Sequence, residues 1–380
     1  MNKSCNRVII LSRRYCPGEA WTNRILAYAK GFAEAGEEVV LYFIITDKQR
    51  TKPDINIPGV KVVHLWETDG LLARKFKAVS FLKNLLRFLQ MVKKGDSLFV
   101  YGGYDYQLFL AKWVRNKAKV YCEITEHPQV FETSALDHKR ILQKIKGTRV
   151  FDGLFVITYS LREFFIKEGL PEEKVHVINM FVDINRFNGL QKTTNEKYIA
   201  YCGTVSFDKD GANLLIESFA RFFPHHKDYK LYIIGKSVDP SVIDQLKNLA
   251  SETGVGDYVV FTGVVDPKEM PQLLYNARIL ALARPNNLQA QNGFPTKLGE
   301  YFATGNPVVV TRVGEIPLFV KDMKNGFLAE PNPKSFSEKL SWVADNYEAA
   351  LNIGIKGKEL AFNEFSYAKQ SKIAISFMRE

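Results

Sequence analysis

Short runs of β-branched and aromatic residues alternate along this chain with stretches whose apolar residues recur every three or four positions, the pattern of strands alternating with helices. The first repeat of that pattern is a strand at Val8–Leu11, a loop holding Pro17 and Gly18, and a helix from Trp21 to Glu34 with Ile25, Leu26, Ala29 and Phe32 on one face. Gly36 is placed to cap that helix before a strand at Val39–Phe43. Further strands are predicted at Val60–Leu65, Ser97–Tyr101, Lys119–Ile124, Gly153–Ile157 and Val175–Ile178, enough for one parallel sheet of six or seven strands. The stretch Asn188 to Lys197 is polar, without apolar period or charge excess. Past it a second series opens with Tyr198–Cys202 and continues with Lys230–Ile234, Tyr258–Thr262, Ile279–Ala283 and Pro307–Thr311, separated by helices such as Leu214–Phe222 and Met270–Tyr275. The expected fold is α/β: two doubly wound, Rossmann-like domains, 1–190 and 191–360, with 361–380 a C-terminal helix packing back toward the first. Such sheets bind ligands beyond the carboxyl ends of their strands, so a cleft between the domains is the expected site.

The composition of the 380 residues, 46% apolar and 24% charged, is that of a globular protein with two cores and excludes a disordered tail or a disulfide-held miniprotein. The longest aliphatic run near the start, Val8-Ile9-Ile10-Leu11, is too short for a secretion signal, and no segment approaches the roughly 20 apolar residues of a membrane span, so a cytoplasmic location is expected. Cys5, Cys16, Cys122 and Cys202 form no Cys-x-x-Cys pair, and the six histidines lack metal-ligand spacing, so neither disulfides nor a metal site is expected.

Charge changes the picture more. The formal net charge is +11, and it is lopsided: residues 1–190 hold 30 basic and 20 acidic side chains, residues 191–380 hold 22 and 21. Much of the surplus falls in Leu71 to Gly95, which contains Arg74, Lys75, Lys77, Lys83, Arg87, Lys93 and Lys94 and no acidic residue. Its apolar residues form one helical row at Leu72, Phe76, Val79, Leu82, Leu86 and Leu89 and a second at Phe81, Leu85, Phe88 and Val92. A basic helix with surplus apolar surface suits an anionic membrane; the alternative is a helix pair packed on its own sheet with solvated lysines. Nucleic acid is not expected as a partner, because the cations accompany aliphatic rather than base-stacking side chains and no recognition motif is present.

Two segments carry candidate chemistry. In Asn292-Gly293-Phe294-Pro295-Thr296-Lys297-Leu298-Gly299-Glu300, a Gly/Pro loop feeds a short helix whose first-turn amides at Thr296, Lys297 and Leu298 are placed to bind an anion, with Lys297 adding a charge. Glu300 can accept two hydroxyls at once, as a ribose diol requires, and Gly299 beside it leaves room for a ligand. An ordinary surface loop and glutamate is the competing reading. The second segment is Tyr201-Cys202-Gly203-Thr204-Val205-Ser206-Phe207-Asp208-Lys209-Asp210-Gly211, a strand running through a glycine loop into a helix.

These segments resemble the retaining nucleotide-sugar glycosyltransferases of family 4, which have the two-domain GT-B fold. Glu300 through Val309 is similar to the second of that family's paired glutamates and the Ala-x-Gly-x-Pro-Val-Val tail that follows; Asn292 stands where the first glutamate is expected. The resemblance implies that Glu300 holds the ribose of the donor, that Asn292 meets the transferred sugar, and that Gly203, Lys209, Val264, Phe294, Thr296, Lys297 and Leu298 line the donor site. Lys209 would grip the diphosphate, and Thr204 replaces the arginine common there. Val175 to Phe187 resembles the family's linker segment, and Phe151 to Ser160 its last-strand segment. In the first domain, Gly18 remains of a Gly-Gly loop near the donor phosphates, with Glu19 in the second place, and His127 and Glu126 sit in a strand-end loop near the transferred sugar and acceptor. The implied reaction moves a sugar from a nucleoside diphosphate sugar to the hydroxyl of a glycan or lipid-linked acceptor with retention, without a metal, in cell-surface polysaccharide or glycolipid synthesis on the inner face of the membrane. Two alternatives remain at this point: a nucleotide-sugar 2-epimerase of the same fold, which needs several acid/base carboxylates and histidines where only His127 and Glu126 are evident, and a non-enzymatic basic protein that binds nucleic acid.

Overall fold

A computed structural model describes residues 7–12, 15–16, 18–43, 55–64, 85–102, 105–131, 143 and 145–380. The chain divides into two compact units, 1–179 together with 367–380, and 180–366. The first is built on seven parallel strands: β1 (Arg7–Ser12), β2 (Glu38–Phe43), β3 (Val60–His64), β4 (Asp96–Tyr101), β5 (Ala118–Ile124), β6 (Gly153–Val156) and β7 (Val175–Val177), in the order β3-β2-β1-β4-β5-β6-β7. The second is built on six, also parallel: β8 (Lys197–Cys202), β9 (Tyr229–Ile234), β10 (Val259–Gly263), β11 (Ile279–Leu282), β12 (Val308–Thr311) and β13 (Phe327–Ala329), in the order β10-β9-β8-β11-β12-β13. In both sheets the order reverses beside the first strand, between β1 and β4 and between β8 and β11. That is the switch point at which doubly wound sheets open a crevice.

The strands read as continuous apolar runs because both faces of each sheet are covered. On one face of the first sheet, Ile9, Leu11, Val40, Leu98, Val100, Val120 and Cys122 meet Phe88 and Val92 from a helix at 85–91 and Leu110, Ala111 and Val114 from the helix Asp105–Val114. On the other face, Tyr28 and Phe32 of the helix Ala20–Glu34 pack on Phe99, which packs in turn on Phe155. The helix Tyr367–Arg379 joins this layer. Tyr121 Oη donates to the Met378 carbonyl at 2.9 Å, His176 stacks on Phe377 at 3.9 Å, and Tyr367 Oη donates to Glu34 at 2.8 Å. A Cβ at Gly31 would strike the Ser371 side chain, so the glycine sets how closely these two helices approach.

The strands expected from the sequence are present in both sheets. The strand β13 was not among them, because three residues after the turn Asn325-Gly326 are too few to show a period. Within Leu71 to Gly95, residues 71–84 lie outside the described residues. From 85 onward the expected helix is present, with Phe88 and Val92 buried and Leu86 and Arg87 exposed. Among the described residues, no helix is long and apolar enough to cross a membrane.

Candidate functional site

The chemistry-bearing residues of the second unit gather at the carboxyl ends of β8 and β11. Strand β8 ends in Tyr201 and Cys202 and runs into Gly203, whose amide donates to the Ile234 carbonyl at the end of β9 (2.9 Å). A Cβ at Gly203 would land on the Lys297 ammonium, so only glycine lets Lys297 lie across this strand end. The helix Lys297–Thr304 is held there by Tyr301: the Cys202 amide donates to its hydroxyl at 2.7 Å. Beyond the loop, Gly211 takes a left-handed conformation (φ 66°), and a side chain there would collide with the Ala283 carbonyl, so the loop between β8 and the helix Ala212–Phe222 is pressed against the end of β11.

Asp210 sits at the centre of this arrangement and is 2% exposed. Its Oδ2 is ion-paired with Lys297 Nζ and lies 2.8 Å from the Tyr201 hydroxyl, and Arg284 Nε is 4.0 Å from Oδ1. Burial alone would raise the Asp210 carboxyl, but the Lys297 and Arg284 charges outweigh it and hold the group below its usual range. Burial first, and Asp210 second, push the Tyr201 phenol well up, so it stays a neutral donor. Arg284 is itself buried, its Nε donating to the Lys209 carbonyl at 3.2 Å, while its own carbonyl accepts from Thr311 Oγ1 at 2.8 Å. Two cations thus stand against one carboxylate at the switch point.

A second pair lies further along the same helix. Glu300 Oε1 accepts from Arg186 Nη1 at 2.5 Å, both side chains part-exposed at 18% and 28%, and Arg186 Nη2 also donates to the Pro267 carbonyl at 3.2 Å. The glycine next to Glu300 makes room for the chain itself rather than a ligand: a Cβ at Gly299 would meet Met180 Cε at 2.8 Å and Val182 Cγ1 at 3.1 Å. The Cys202 thiol is pushed up to about 12 by burial and then by the Glu300 charge.

The other residues singled out in the sequence are distributed as follows. Lys209 is half-buried, its amide donating to Ser206 Oγ at 3.1 Å; Thr204 is exposed, with its carbonyl 2.7 Å from the Tyr201 hydroxyl. The Leu298 amide closes a turn onto the Pro295 carbonyl (3.0 Å), so it is not free for an anion as the helix start suggested; the amides of Thr296 and Lys297 take no part in that turn bond. Asn292 ends the short helix Leu288–Asn292 and donates from Nδ2 to the Leu288 carbonyl at 3.0 Å. The Phe294 ring is core, packed on Phe319 and Phe365 at 5.3 and 5.7 Å, and offers a ligand only its backbone. Val264 is exposed just past β10.

In the first unit, Gly18 is exposed and left-handed (φ 82°). The His127 ring lies against Phe164 with centroids 4.1 Å apart and accepts at Nδ1 from the Gln129 amide at 3.3 Å, which leaves the proton on Nε2; burial lowers its pKa. Glu126 is half-buried beside it. A buried charge pair of this unit lies elsewhere: Arg24 donates to both oxygens of Glu123, at 2.9 and 2.6 Å, and to the Ile178 carbonyl at 3.1 Å, and Tyr28 donates to Glu123 Oε1 at 2.6 Å.

Sequence reasoning did not single out Asp210, Arg284 or Arg186, which the structure brings against Lys297 and Glu300. Arg284 had a legible signal, a lone arginine directly after the apolar run Ile279–Ala283; Asp210 and Arg186 acquire meaning only through partners 87 and 114 positions away. Among the described residues, no group of three or more His, Cys, Asp or Glu is arranged to hold a metal ion.

Residues 183–360 match the family model of glycosyl transferases group 1. Over 176 residues the chain is 28% identical to the D-inositol 3-phosphate glycosyltransferase of Corynebacterium glutamicum, a match covering 45% of this chain and 40% of that one. It is 24% identical over 229 residues to the mannosylfructose-phosphate synthase of Agrobacterium fabrum, covering 55% and 49%. The match therefore spans half or less of these relatives' length. Among solved structures, that of Anabaena HepE in complex with UDP and glucose superposes with a TM-score of 0.73 at 16% identity, covering 98% of this chain and 99% of that one. The fold is GT-B, with two Rossmann-like sheets.

Proposed function

We propose that this protein is a retaining glycosyltransferase of family 4 that moves a sugar from a nucleoside diphosphate sugar to an acceptor hydroxyl. The observation that carries the reading is the Lys297, Arg284 and Asp210 cluster at the β8/β11 switch point, on the same stretch of chain, 183–360, that matches the group 1 family model. The chemistry follows from the charges. As the glycosidic bond breaks, negative charge gathers on the departing diphosphate, and Lys297 and Arg284 are preorganised cations at that position, screened from water and aligned before the reaction begins. Asp210 keeps the Lys297 ammonium over the strand end. The Glu300 carboxylate accepts the ribose hydroxyls, with Arg186 fixing its orientation. Lys209 adds a third charge beside the phosphates, and the Asn292 amide meets the transferred sugar. In this reading the basic first unit, with His127 and Glu126 in its strand-end loop, serves a glycan or lipid-linked acceptor at the inner membrane face, in cell-surface polysaccharide or glycolipid synthesis.

The test is a panel of UDP-, GDP-, ADP- and dTDP-sugars screened by thermal unfolding, with UDP first because a protein of the same fold has been solved with it. A donor that binds only the folded chain stabilises it by about 2.7 kcal/mol at a hundredfold excess over Kd, so one member should raise the melting temperature in a dose-dependent way. A panel without any such rise overturns the reading. Conversion of the bound donor to its epimer in the absence of acceptor would replace transfer with epimerisation.

A further inference from the structure

We infer that the outer face of the helix pair at 85–91 and Asp105–Val114 is a docking surface for an anionic lipid bilayer. The inference rests on the membrane part of the reading above and not on the transfer reaction. Both helices lie on one face of the first sheet, where Phe88, Val92, Leu110, Ala111 and Val114 enter a single core, and Lys117 Nζ donates to the Leu89 carbonyl at 3.1 Å, tying the end of one helix to the side of the other. Their outward sides are therefore neighbours.

What those sides carry is unusual for a solvated surface. Trp113 is 58% exposed and Phe109 42%, one helical turn apart with ring centroids at 5.9 Å, and Leu86 on the companion helix is 50% exposed. Around them, Arg87, Lys93, Lys94, Lys112, Arg115 and Lys117 are exposed, and neither 85–95 nor 109–119 contains an acidic residue. Asp152, just before β6, lies 3.9 Å from Arg115 Nη2. Scattered exposed apolar residues need no explanation. A tryptophan in contact with a phenylalanine on a segment that also exposes Lys112, Arg115 and Lys117 does, because tryptophan favours the headgroup level of a bilayer and each nearby cation adds attraction to anionic lipid. Charge complementarity selects the occupant.

Co-sedimentation with phosphatidylcholine vesicles, with and without phosphatidylglycerol, decides the matter. The protein should partition onto the anionic vesicles, remain in solution with the neutral ones, and be released by high salt. Arg87→Glu combined with Lys112→Glu should weaken partitioning by about tenfold or more, as should Phe109→Ser combined with Trp113→Ser. Trp113→Phe should retain binding, which separates loss of the membrane contact from loss of the fold, and circular dichroism checks the fold of each variant. Equal binding by parent and variants, or no preference for anionic lipid, overturns the inference. So does an oligonucleotide shift that disappears in the charge-reversed variant while vesicle binding stays unchanged. Donor titration is unaffected by any of these outcomes, so this inference and the assignment of transfer fail separately.

Discussion

Both units hold charged side chains near strand ends, Glu123 at the end of β5 in the first and the Asp210 cluster at the β8/β11 switch point in the second, and the two sets differ in exposure and in charge balance. In the first, Arg24 and Glu123 are 2% and 0% exposed and doubly hydrogen-bonded to each other, with Tyr28 donating to Glu123 and Arg24 donating to the Ile178 and Asn179 carbonyls. In the second, Lys297 is 15% and Glu300 18% exposed, and two cations share one buried carboxylate. The same architecture supplies a location in both cases. Charge balance and residual exposure separate the two, since a sealed and balanced pair has no capacity left for an anion.

The sharpest way to break this comparison is to remove Glu123. Glu123→Ala leaves the Arg24 guanidinium buried without its carboxylate and should cost about 3–5 kcal/mol of stability in urea unfolding, whereas a loss below 1 kcal/mol would mean that the pair is not the structural element described. In the second unit, Lys297→Met should lower the affinity for nucleoside diphosphate by about ten- to a hundredfold, the worth of a hydrogen bond to a charged group at ~1.5–3 kcal/mol; unchanged affinity by calorimetry would remove Lys297 from the phosphate site. Glu300→Ala should weaken donor binding by roughly tenfold and leave the unfolding midpoint near that of the parent, because both members of its pair are part-exposed. The smallest effect concerns pH. The Asp210 carboxyl is held below its usual range, so its contribution to stability is present above the ordinary carboxylate range and is lost as pH falls through the depressed value. Asp210→Asn should flatten that acid-side loss, and parallel pH profiles for the two proteins would refute the linkage.

Much of the fold was legible because doubly wound sheets write their strands as unbroken apolar runs: Val8–Leu11 and Tyr198–Cys202 stand out before any contact is known. The site was legible only where one residue type at one position carries meaning. Glu300 and Lys297 could be picked out inside a helix start, and Gly203 at a strand end. Asp210 looked like one more polar residue in the turn Asp208-Lys209-Asp210, yet its partner Lys297 arrives from 87 positions away, and no local pattern encodes that encounter. The resemblance places Phe294 in the donor site; the packing of its ring on Phe319 and Phe365 depends on residues its own loop does not contain. The apolar arc of the basic stretch hinted at an outward surface, but Phe109 and Trp113 sit on the next helix, beyond the window in which that arc was read.

The helix Tyr367–Arg379 has a bearing on how the protein is made. It supplies part of one layer of the first unit, through Tyr121, His176 and the glycine contact at Gly31, yet it is synthesised only after the entire second unit. On the ribosome, therefore, the second unit can finish folding while the first still waits with one face of its sheet incompletely covered, reversing the order in which the two were translated. A nascent chain stalled before Tyr367 should bind nucleotide through its second unit and still expose the apolar face of its first to chaperones.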